Sequence, residues 1–169
     1  SDLQYQILLD NLEYHLLGNH LLEDAFSLLW AGLYFKDEPI YQKAKGLLLR
    51  ELEEQLLPDG AHYEQSPMYH CILLDRLLDC YNVSVNNLRF IGQEGLNERL
   101  REKAGGMLGH LASVVYKDNT IPLLNDSAEG IAPSPTQLFA YAKRLDMDWE
   151  KLPMGACGYR KLMAGHWEA

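Results

Sequence analysis

The chain of 169 residues carries 15 Lys and Arg against 24 Asp and Glu, which gives a formal net charge of −9. Its 47% hydrophobic and 23% charged residues are typical of a folded globular protein and exclude a disordered one. No apolar run approaches the roughly 20 residues that a membrane-spanning helix needs. Because the basic residues are scattered among acidic ones, we also expect no nucleic-acid partner.

Hydrophobic residues spaced three and four apart predict helices from the start of the chain. The first helix is interrupted at Gly18, and its apolar face consists of Tyr5, Leu9, Leu12 and Leu16. The second has a stripe wide enough to be buried on much of its circumference. That stripe consists of Leu21, Leu22, Ala25, Leu28, Leu29, Gly32 and Phe35.

Capping residues predict where three later helices begin. Asp37 caps a third helix with Pro39 in its first turn, and Pro58-Asp59-Gly60 ends it. Ser66-Pro67 and Ser134-Pro135 each supply the N-cap and first residue of a helix, the fourth and the sixth. The inward-facing positions are Ile40, Ala44, Leu47, Leu48, Leu52 and Leu56 in the third helix, Ile72, Leu73, Leu77 and Leu78 in the fourth, and Leu138, Phe139 and Ala142 in the sixth.

A loop is predicted over Asn82–Gly92 and a fifth helix over Leu96–Tyr116. The fifth helix contains Gly105, Gly106 and Gly109, which lower its propensity by about 1 kcal/mol each. Such small residues predict that a neighbouring helix approaches closely. A short helical piece is expected at Trp149–Leu152.

Beyond Pro153 the pattern changes to short alternating stretches punctuated by glycine, which are typical of β-strands. The predicted fold class is therefore all-α, with antiparallel helical hairpins from a toroid or solenoid and the start of a β region at the C-terminus. We expect residues 1–153 to form a helical domain and residues 154–169 a linker and the first strand of a second domain.

The three cysteines predict free thiols in the core. Cys71 and Cys80 lie on one predicted helix with a rise of about 13 Å between them, too far for a disulfide. The chain begins at Ser1 without the basic and apolar regions of a signal peptide. Free thiols leave the compartment open.

Two polar clusters interrupt the apolar pattern, and the first contains His15, Asn19, His20 and Glu23. On a helix, His20 and Glu23 lie on adjacent turns of one face. The second cluster crowds polar and aromatic groups into Asp59–His70, a loop and the first turn of a helix. Either cluster could hold a catalytic site or consist of satisfied structural residues.

Tyr69 has the most informative position in the second cluster. It is the third residue after its Ser66 cap, where free backbone N–H groups and the helix dipole favour an anion. A tyrosine, with a pKa near 10 in water, is a useful base at neutral pH only where its surroundings stabilise the phenolate. Tyr69 is therefore a candidate for proton transfer.

The sequence predicts no metal site and no cofactor. Five side chains could supply metal ligands: His15, His20, His62, His70 and Cys71. No pair of them has the spacing of a zinc motif. The chain also lacks a Gly-x-Ser-x-Gly elbow and a phosphate-binding glycine loop, which argues against hydrolases and nucleotide-binding proteins.

The combination of motifs resembles the heparinase II/III-like family of polysaccharide lyases and its alginate-lyase relatives. The resemblance is carried by Asn19-His20-Leu21-Leu22-Glu23, by Asp59–His70 with its Ser66-Pro67, and by Gly158-Tyr159-Arg160. The segment Asn125–Gly130 resembles a later acidic segment of the family, with Asn125 where many members have glycine.

This resemblance implies part of an (α/α) toroid joined to a C-terminal β-sandwich, and a bacterial enzyme that acts by β-elimination on an acidic, uronic-acid-containing polysaccharide or oligosaccharide. It implies that Asn19 and His20 neutralise the substrate carboxylate and that Tyr69 transfers the proton. Tyr63 competes with Tyr69 for that role. The residues implied as substrate contacts are Glu23, Tyr63 and His70.

The resemblance places one further histidine of the family on the β-sandwich, beyond position 169, so we expect this chain alone to be inactive. Two alternatives stay open: a non-catalytic toroid that binds glycans or serves polysaccharide biosynthesis, and a helical-repeat scaffold for protein partners. The net charge of −9 favours a weakly charged glycan over a highly sulfated one. A periplasmic or secreted location is favoured, with a cytoplasmic one as the alternative.

Overall fold

A computed structural model describes residues 2–12, 20–165 and 167–168. Six helices lie within these residues and occupy 59% of them. They are α1 (Asp2–Asp10), α2 (His20–Phe35), α3 (Glu38–Gln55), α4 (Pro67–Val85), α5 (Gln93–Val114) and α6 (Pro135–Arg144). Two short strands, β1 (Met163–Ala164) and β2 (Trp167–Glu168), pair antiparallel at the C-terminal end.

The chain forms two compact units, each with its own apolar core. Unit 1 comprises residues 1–54 and 79–100, and unit 2 comprises residues 55–78 and 101–169. The largest fully buried side chains of unit 1 are Tyr41, Phe26, Leu22, Leu28, Leu29, Leu48, Leu52 and Leu96. Those of unit 2 are Leu73, Leu74, Leu77 and Leu78, all on α4.

In unit 1 the predicted pattern is confirmed for α2 with one exception, whereas α1 ends at Asp10, earlier than predicted, with Tyr5 and Leu9 only half-buried. The apolar stripe of α2 is buried from Leu21 to Gly32, but Phe35 is 36% exposed. Phe35 lies at the last position of α2, and its ring packs edge to face against Tyr5 on α1, with centroids 5.5 Å apart. Leu16, the last residue of the apolar face predicted for the first helix, lies outside the described residues.

The predicted caps are confirmed at the starts of α3, α4 and α6. The backbone N–H of Ile40 donates to Asp37 Oδ1 over 3.0 Å, and α4 begins at Pro67, directly after Ser66. Ser134 forms a capping box with Gln137 at the start of α6. These starts are predictable because the signal lies within a few residues of the helix.

Helix ends and loops were predicted less well. The predicted loop at Asn82 begins too early, since α4 continues to Val85, and α5 spans Gln93–Val114. Leu56, expected to face inward, is only half-buried because α3 ends at Gln55. The expected strand region beyond residue 153 is irregular up to the two short strands.

The glycines of α5 allow close approach, but by loop backbone and not by the helix we expected. A Cβ atom on Gly109 would lie 2.9 Å from Leu152 Cγ and closer still to the Glu150 carbonyl oxygen. Leu152 N–H donates to the Gly109 carbonyl over 3.3 Å. The short helix expected at Trp149–Leu152 is therefore wrong, because this segment is irregular and its backbone lies against α5.

The three cysteines are free and buried, as the sequence predicted. Burial raises the pKa of the Cys71 thiol to about 12, so it is neutral in the core. Among the described residues, no helix has both the length and the hydropathy that a membrane span requires.

Candidate active site

A tight turn connects α3 to the start of α4 and carries most of the second polar cluster. The N–H of Leu57 donates to the Ala61 carbonyl over 2.9 Å, and residues 56 and 62 form an isolated antiparallel bridge. Gly60 has φ +76°, a conformation that side chains disfavour, and its backbone touches α5. A Cβ atom on Gly60 would lie 2.6 Å from the carbonyl carbon of Gly106.

The Asp59 carboxylate holds this turn to a distant loop. Its Oδ2 accepts hydrogen bonds from the N–H groups of Gly155 and Cys157, over 3.0 and 2.9 Å. Burial alone would raise the pKa of Asp59, but these N–H groups and that of Ala61 bring it down to about 2. Asp59 is therefore ionised at neutral pH and serves as an anchor within unit 2.

Two serine hydroxyls hold the amide groups in the first turn of α4. Ser66 Oγ accepts from the N–H of Tyr69 over 3.4 Å, and Ser127 Oγ accepts from the N–H of Met68 over 3.1 Å. The two hydroxyl oxygens are 3.1 Å apart and hydrogen-bonded to each other. Ser127 therefore acts as a second capping residue for α4, supplied from outside the helix.

The residue before Ser66 is held from two sides. Gln65 has a left-handed backbone with φ 57°, and its carbonyl accepts hydrogen bonds from Asn125 Nδ2, over 2.6 Å, and from the Tyr159 hydroxyl. Asn125 Nδ2 also donates to the Tyr159 hydroxyl over 3.2 Å. The segments around residues 125 and 159, which carry part of the family resemblance, thus position the entry to α4.

Three histidines of unit 2, His62, His70 and His110, are buried. His62 Nε2–H donates to Gln55 Oε1 and His70 Nε2–H to the Met107 carbonyl, each over 3.0 Å. Burial lowers the pKa of His62 to about 4, and burial together with the neighbouring His110 ring lowers that of His70 to about 3. Both imidazoles are neutral at physiological pH.

A cavity of about 10 Å³ lies beside these rings, lined by Ala61, His62, Gln65, Ser66, Pro67, His70, His110, Val114 and Tyr159. This volume accommodates a single water molecule. It is far too small for a sugar ring.

The tyrosines of the cluster differ in exposure. Tyr69 is half-buried in the first turn of α4, whereas Tyr63 is 39% exposed in the preceding loop. The Tyr63 ring packs edge to face on His62, with centroids 4.9 Å apart. Of the residues predicted as substrate contacts, Tyr63 therefore offers an open surface, while His70 is 3% exposed and faces the interior.

The first polar cluster is described only in part. His20 is exposed at the first position of α2, and Glu23 is half-buried within its first turn. Asn19 and His15 lie outside the described residues. The predicted convergence of Asn19, His20 and Tyr69 on one uronate therefore stays a prediction.

The arrangement around Tyr69 suits proton transfer. The positive end of α4 favours negative charge on a side chain in its first turn, and hydrogen bonds from that turn's N–H groups to Ser66 and Ser127 fix it. The sequence showed Ser127 only as part of the segment Asn125–Gly130 and gave no role for it, because its partner Met68 lies 59 positions away.

Comparison with known proteins agrees with these motifs. The family model described as Heparinase II/III N-terminus matches residues 4–148. A heparin-sulfate lyase from Pedobacter heparinus is 30% identical over 114 residues, which cover 65% of this chain and 17% of that protein. A heparin-sulfate lyase from Bacteroides stercoris is 28% identical over 118 residues, which cover 68% of this chain and 17% of that protein.

A solved structure shows the same fold. The crystal structure of heparan sulfate lyase HepC from Pedobacter heparinus matches with a TM-score of 0.63 and 24% identity, over 86% of this chain and 23% of that one. The chain belongs to the heparinase II/III family, and its predicted all-α class, part of a helical toroid, is confirmed. It spans about a fifth of the length of these relatives.

Proposed function

We propose that the complete protein is a polysaccharide lyase that cleaves next to a uronic acid by β-elimination. The observation that carries this proposal is the match of the Heparinase II/III N-terminus family to residues 4–148, with Tyr69 in the capped first turn of α4. Relatives named heparin-sulfate lyases support a glycosaminoglycan as the substrate class.

In the proposed reaction, Tyr69 removes the proton beside the uronate carboxylate, and the glycosidic oxygen leaves with the electron pair of its broken C–O bond and takes up that proton. The electrons of the broken C–H bond form the new C=C bond, and an unsaturated sugar remains. The difficult step is to place negative charge next to a carboxylate that is already an anion. Asn19 and His20 neutralise that carboxylate by hydrogen bonding, and Glu23 orients them or contacts a neighbouring sugar.

The position of Tyr69 supports its assignment over Tyr63. A general base has to be fixed near the proton that it removes, and Tyr69 lies on a helix whose first turn is bonded to Ser66 and Ser127. Tyr63, on an exposed loop, suits contact with a sugar face. The burial of His70 supports a role behind the site rather than direct contact with substrate.

The proposal extends to domain organisation. Residues 1–153 belong to a partial toroid, and residues 154–169 lead into a β-sandwich that contributes one further catalytic histidine.

Substitution of Tyr69 by Phe in the complete protein tests the proposal. Loss of a general base is expected to lower kcat by about 10²–10⁴-fold, because the phenol supplies the proton-transfer group and little binding energy. The rate is measured as the ultraviolet absorbance of unsaturated uronate released from heparan sulfate and other uronic polysaccharides.

Two tyrosine variants serve as controls. Tyr34→Phe, at a residue 80% exposed on α2, is expected to keep the parent rate. Tyr63→Phe distinguishes the competing assignment, since a larger loss there than in Tyr69→Phe would transfer the role to Tyr63. Full activity of Tyr69→Phe would contradict the proposed mechanism.

A groove in unit 2 favours glycan binding without turnover as the second candidate function. The groove has a volume of about 600 Å³, within the range of small-molecule sites. The rings of Phe139 and Trp149 lie stacked 5.3 Å apart in its lining, together with Lys117 and Lys161. Glu168 lies in the same lining and pairs with both lysines, over 4.0 and 3.5 Å, so an acidic sugar would stack on the rings and compete with Glu168 for the ammonium groups. In this case Trp149→Ala abolishes retention of the complete protein on immobilised heparan sulfate, and no variant releases unsaturated product because the parent releases none.

A further inference from the structure

Three side chains of different chemistry meet inside unit 2. They are Asp59 from the turn after α3, His110 from α5 and Cys157 from the C-terminal loop, and each is buried. One potential ligand atom from each lies within 4.8 Å of the other two. A carboxylate oxygen, an imidazole nitrogen and a sulfur are the donor types that zinc binds in proteins.

All four hydrogen-bonding positions of the Asp59 carboxylate are used, and a cation can take over one of them. A carboxylate offers about four hydrogen-bonding positions. Three are used by the N–H groups of Ala61, Gly155 and Cys157, and the Cys157 thiol donates to the fourth. Of the four donors, the thiol is the one whose proton a metal displaces readily.

His110 supplies the lone pair of a neutral ring. It is 4% exposed, and its Nδ1 has no hydrogen-bond partner among the residues that the structure describes. Burial lowers the pKa of His110, so the imidazole is uncharged at neutral pH. A hydrogen bond with the Asp59 backbone uses one ring nitrogen of His110, so Nδ1 is the nitrogen left for a cation. A buried nitrogen without a partner is an unusual cost in a folded protein, and a cation bound at Nδ1 would remove it.

We propose that Asp59, His110 and Cys157 bind one divalent cation of the zinc type. The metal forms a bond to Cys157 sulfur as the S–H bond breaks, and the proton is released to solvent. The carboxylate, the thiolate and the cation then sum to zero charge, which suits a buried site.

The three ligand atoms have to move only slightly closer together to bind one zinc ion. Zinc–nitrogen and zinc–sulfur bonds of about 2.0–2.3 Å place tetrahedral ligand atoms about 3.5 Å apart, and the observed separations extend to 4.8 Å. Three protein ligands leave a fourth position. A water molecule or a further ligand would complete the tetrahedron.

The site follows from its donor set and does not depend on the lyase proposal. A bound cation would join the turn that carries Asp59, the α5 helix and the loop at Cys157. We therefore expect it to stabilise the framework behind α4.

The test is titration of the reduced chain with Co²⁺ and Zn²⁺ at neutral pH. Co²⁺ is expected to bind in a 1:1 ratio and produce the thiolate-to-cobalt absorption band, with release of one proton per metal. Zn²⁺ is expected to displace it and to raise the midpoint of thermal unfolding.

The Cys157→Ser variant is expected to lose the band and to bind Zn²⁺ at least 100-fold more weakly, and His110→Gln to weaken binding similarly. Cys71→Ser is the matched control, since Cys71 is a buried thiol elsewhere on α4, and it should bind as the parent does. No 1:1 binding by the parent, or an unchanged band in a folded Cys157→Ser protein, would overturn the proposal. None of these measurements requires turnover.

Discussion

The buried histidines make the free energy of unfolding depend on pH, and His70 shows how. The folded state keeps His70 neutral until the pH falls to about 3, whereas the unfolded chain binds a proton near the ordinary value of 6.5. Between these values the unfolded state holds more protons, so the free energy of unfolding falls as the pH falls. His62, with a pKa of about 4, acts in the same direction.

Replacement of His70 by Gln is expected to flatten this pH dependence. Gln can keep a donor for the Met107 carbonyl but cannot be protonated, so the variant loses one titrating group. The slope of unfolding free energy between pH 6 and 4 should decrease by up to about 1.4 kcal/mol per pH unit. Urea unfolding at several pH values measures it, and an unchanged slope would contradict the proposed cause.

The sequence predicted contacts between residues close together in the chain but not contacts between distant ones. The Asp37, Ser66 and Ser134 caps follow from neighbours three positions away and are confirmed. Contacts of Asp59 with Cys157, 98 positions apart, leave no local pattern to detect. Sequence analysis accordingly found no metal-ligand spacing where the fold assembles three donors.

At the scale of elements, the N-terminus of α4 depends on a hydroxyl from another segment. Ser127→Ala removes the acceptor for Met68 N–H and is expected to cost about 1 kcal/mol of unfolding free energy. In the complete protein kcat should also fall, because the turn that carries Tyr69 loses one of its two hydroxyl supports.

The Ser134→Ala variant is the control for that prediction. Ser134 caps α6 with a full capping box, so its loss should cost a similar free energy while kcat is unchanged. Chemical denaturation and steady-state kinetics separate the two effects. Equal changes in kcat for both variants would point to general destabilisation.

Two glycines of α5 provide a matched test of loop packing on a helix. Gly109→Ala places a methyl group against Glu150 and Leu152 and is expected to destabilise by about 1–3 kcal/mol. Gly105→Ala meets no atom closer than 3.8 Å and should stabilise the helix by about 0.5–1 kcal/mol. Thermal unfolding of both variants measures the difference, and equal effects would contradict the packing described.

For the whole molecule, the proposed site is incomplete within this chain. We expect the isolated 169 residues to release no unsaturated uronate from any uronic polysaccharide, because the proposed β-sandwich histidine lies outside them. The assay is the same absorbance measurement, with the complete protein as reference. Robust turnover by the chain alone would disprove the need for that residue.

Net charge gives an expectation about substrate choice. Because the 169 residues carry a net charge of −9, we propose that this part of the lyase favours sparsely sulfated regions over densely sulfated ones. Comparison of kcat/KM on heparan sulfate, heparin and an unsulfated uronic polysaccharide tests this. A preference for heparin that persists at low ionic strength would contradict it.

The fold class was predictable from sequence, whereas the approach of segments within unit 2 was not. Helical spacing follows from local hydrophobic pattern, which the described helices confirm. The glycines of α5 correctly indicated a close neighbour, but their sequence carries no information on whether that neighbour is a helix or the extended segment at Glu150. A glycine in a helix predicts that another segment can approach closely. Which segment does so depends on the rest of the chain.

The turn at Gly60 sets a boundary for engineering this protein. Tyr63, a proposed substrate contact, and Glu64 lie in an adjoining loop and are natural positions to randomise when the proposed glycan site is redesigned. Position 60, with its left-handed backbone against Gly106, does not tolerate a side chain. A combinatorial library over this loop should therefore keep that one codon fixed, or most of its members will be lost to misfolding before selection begins.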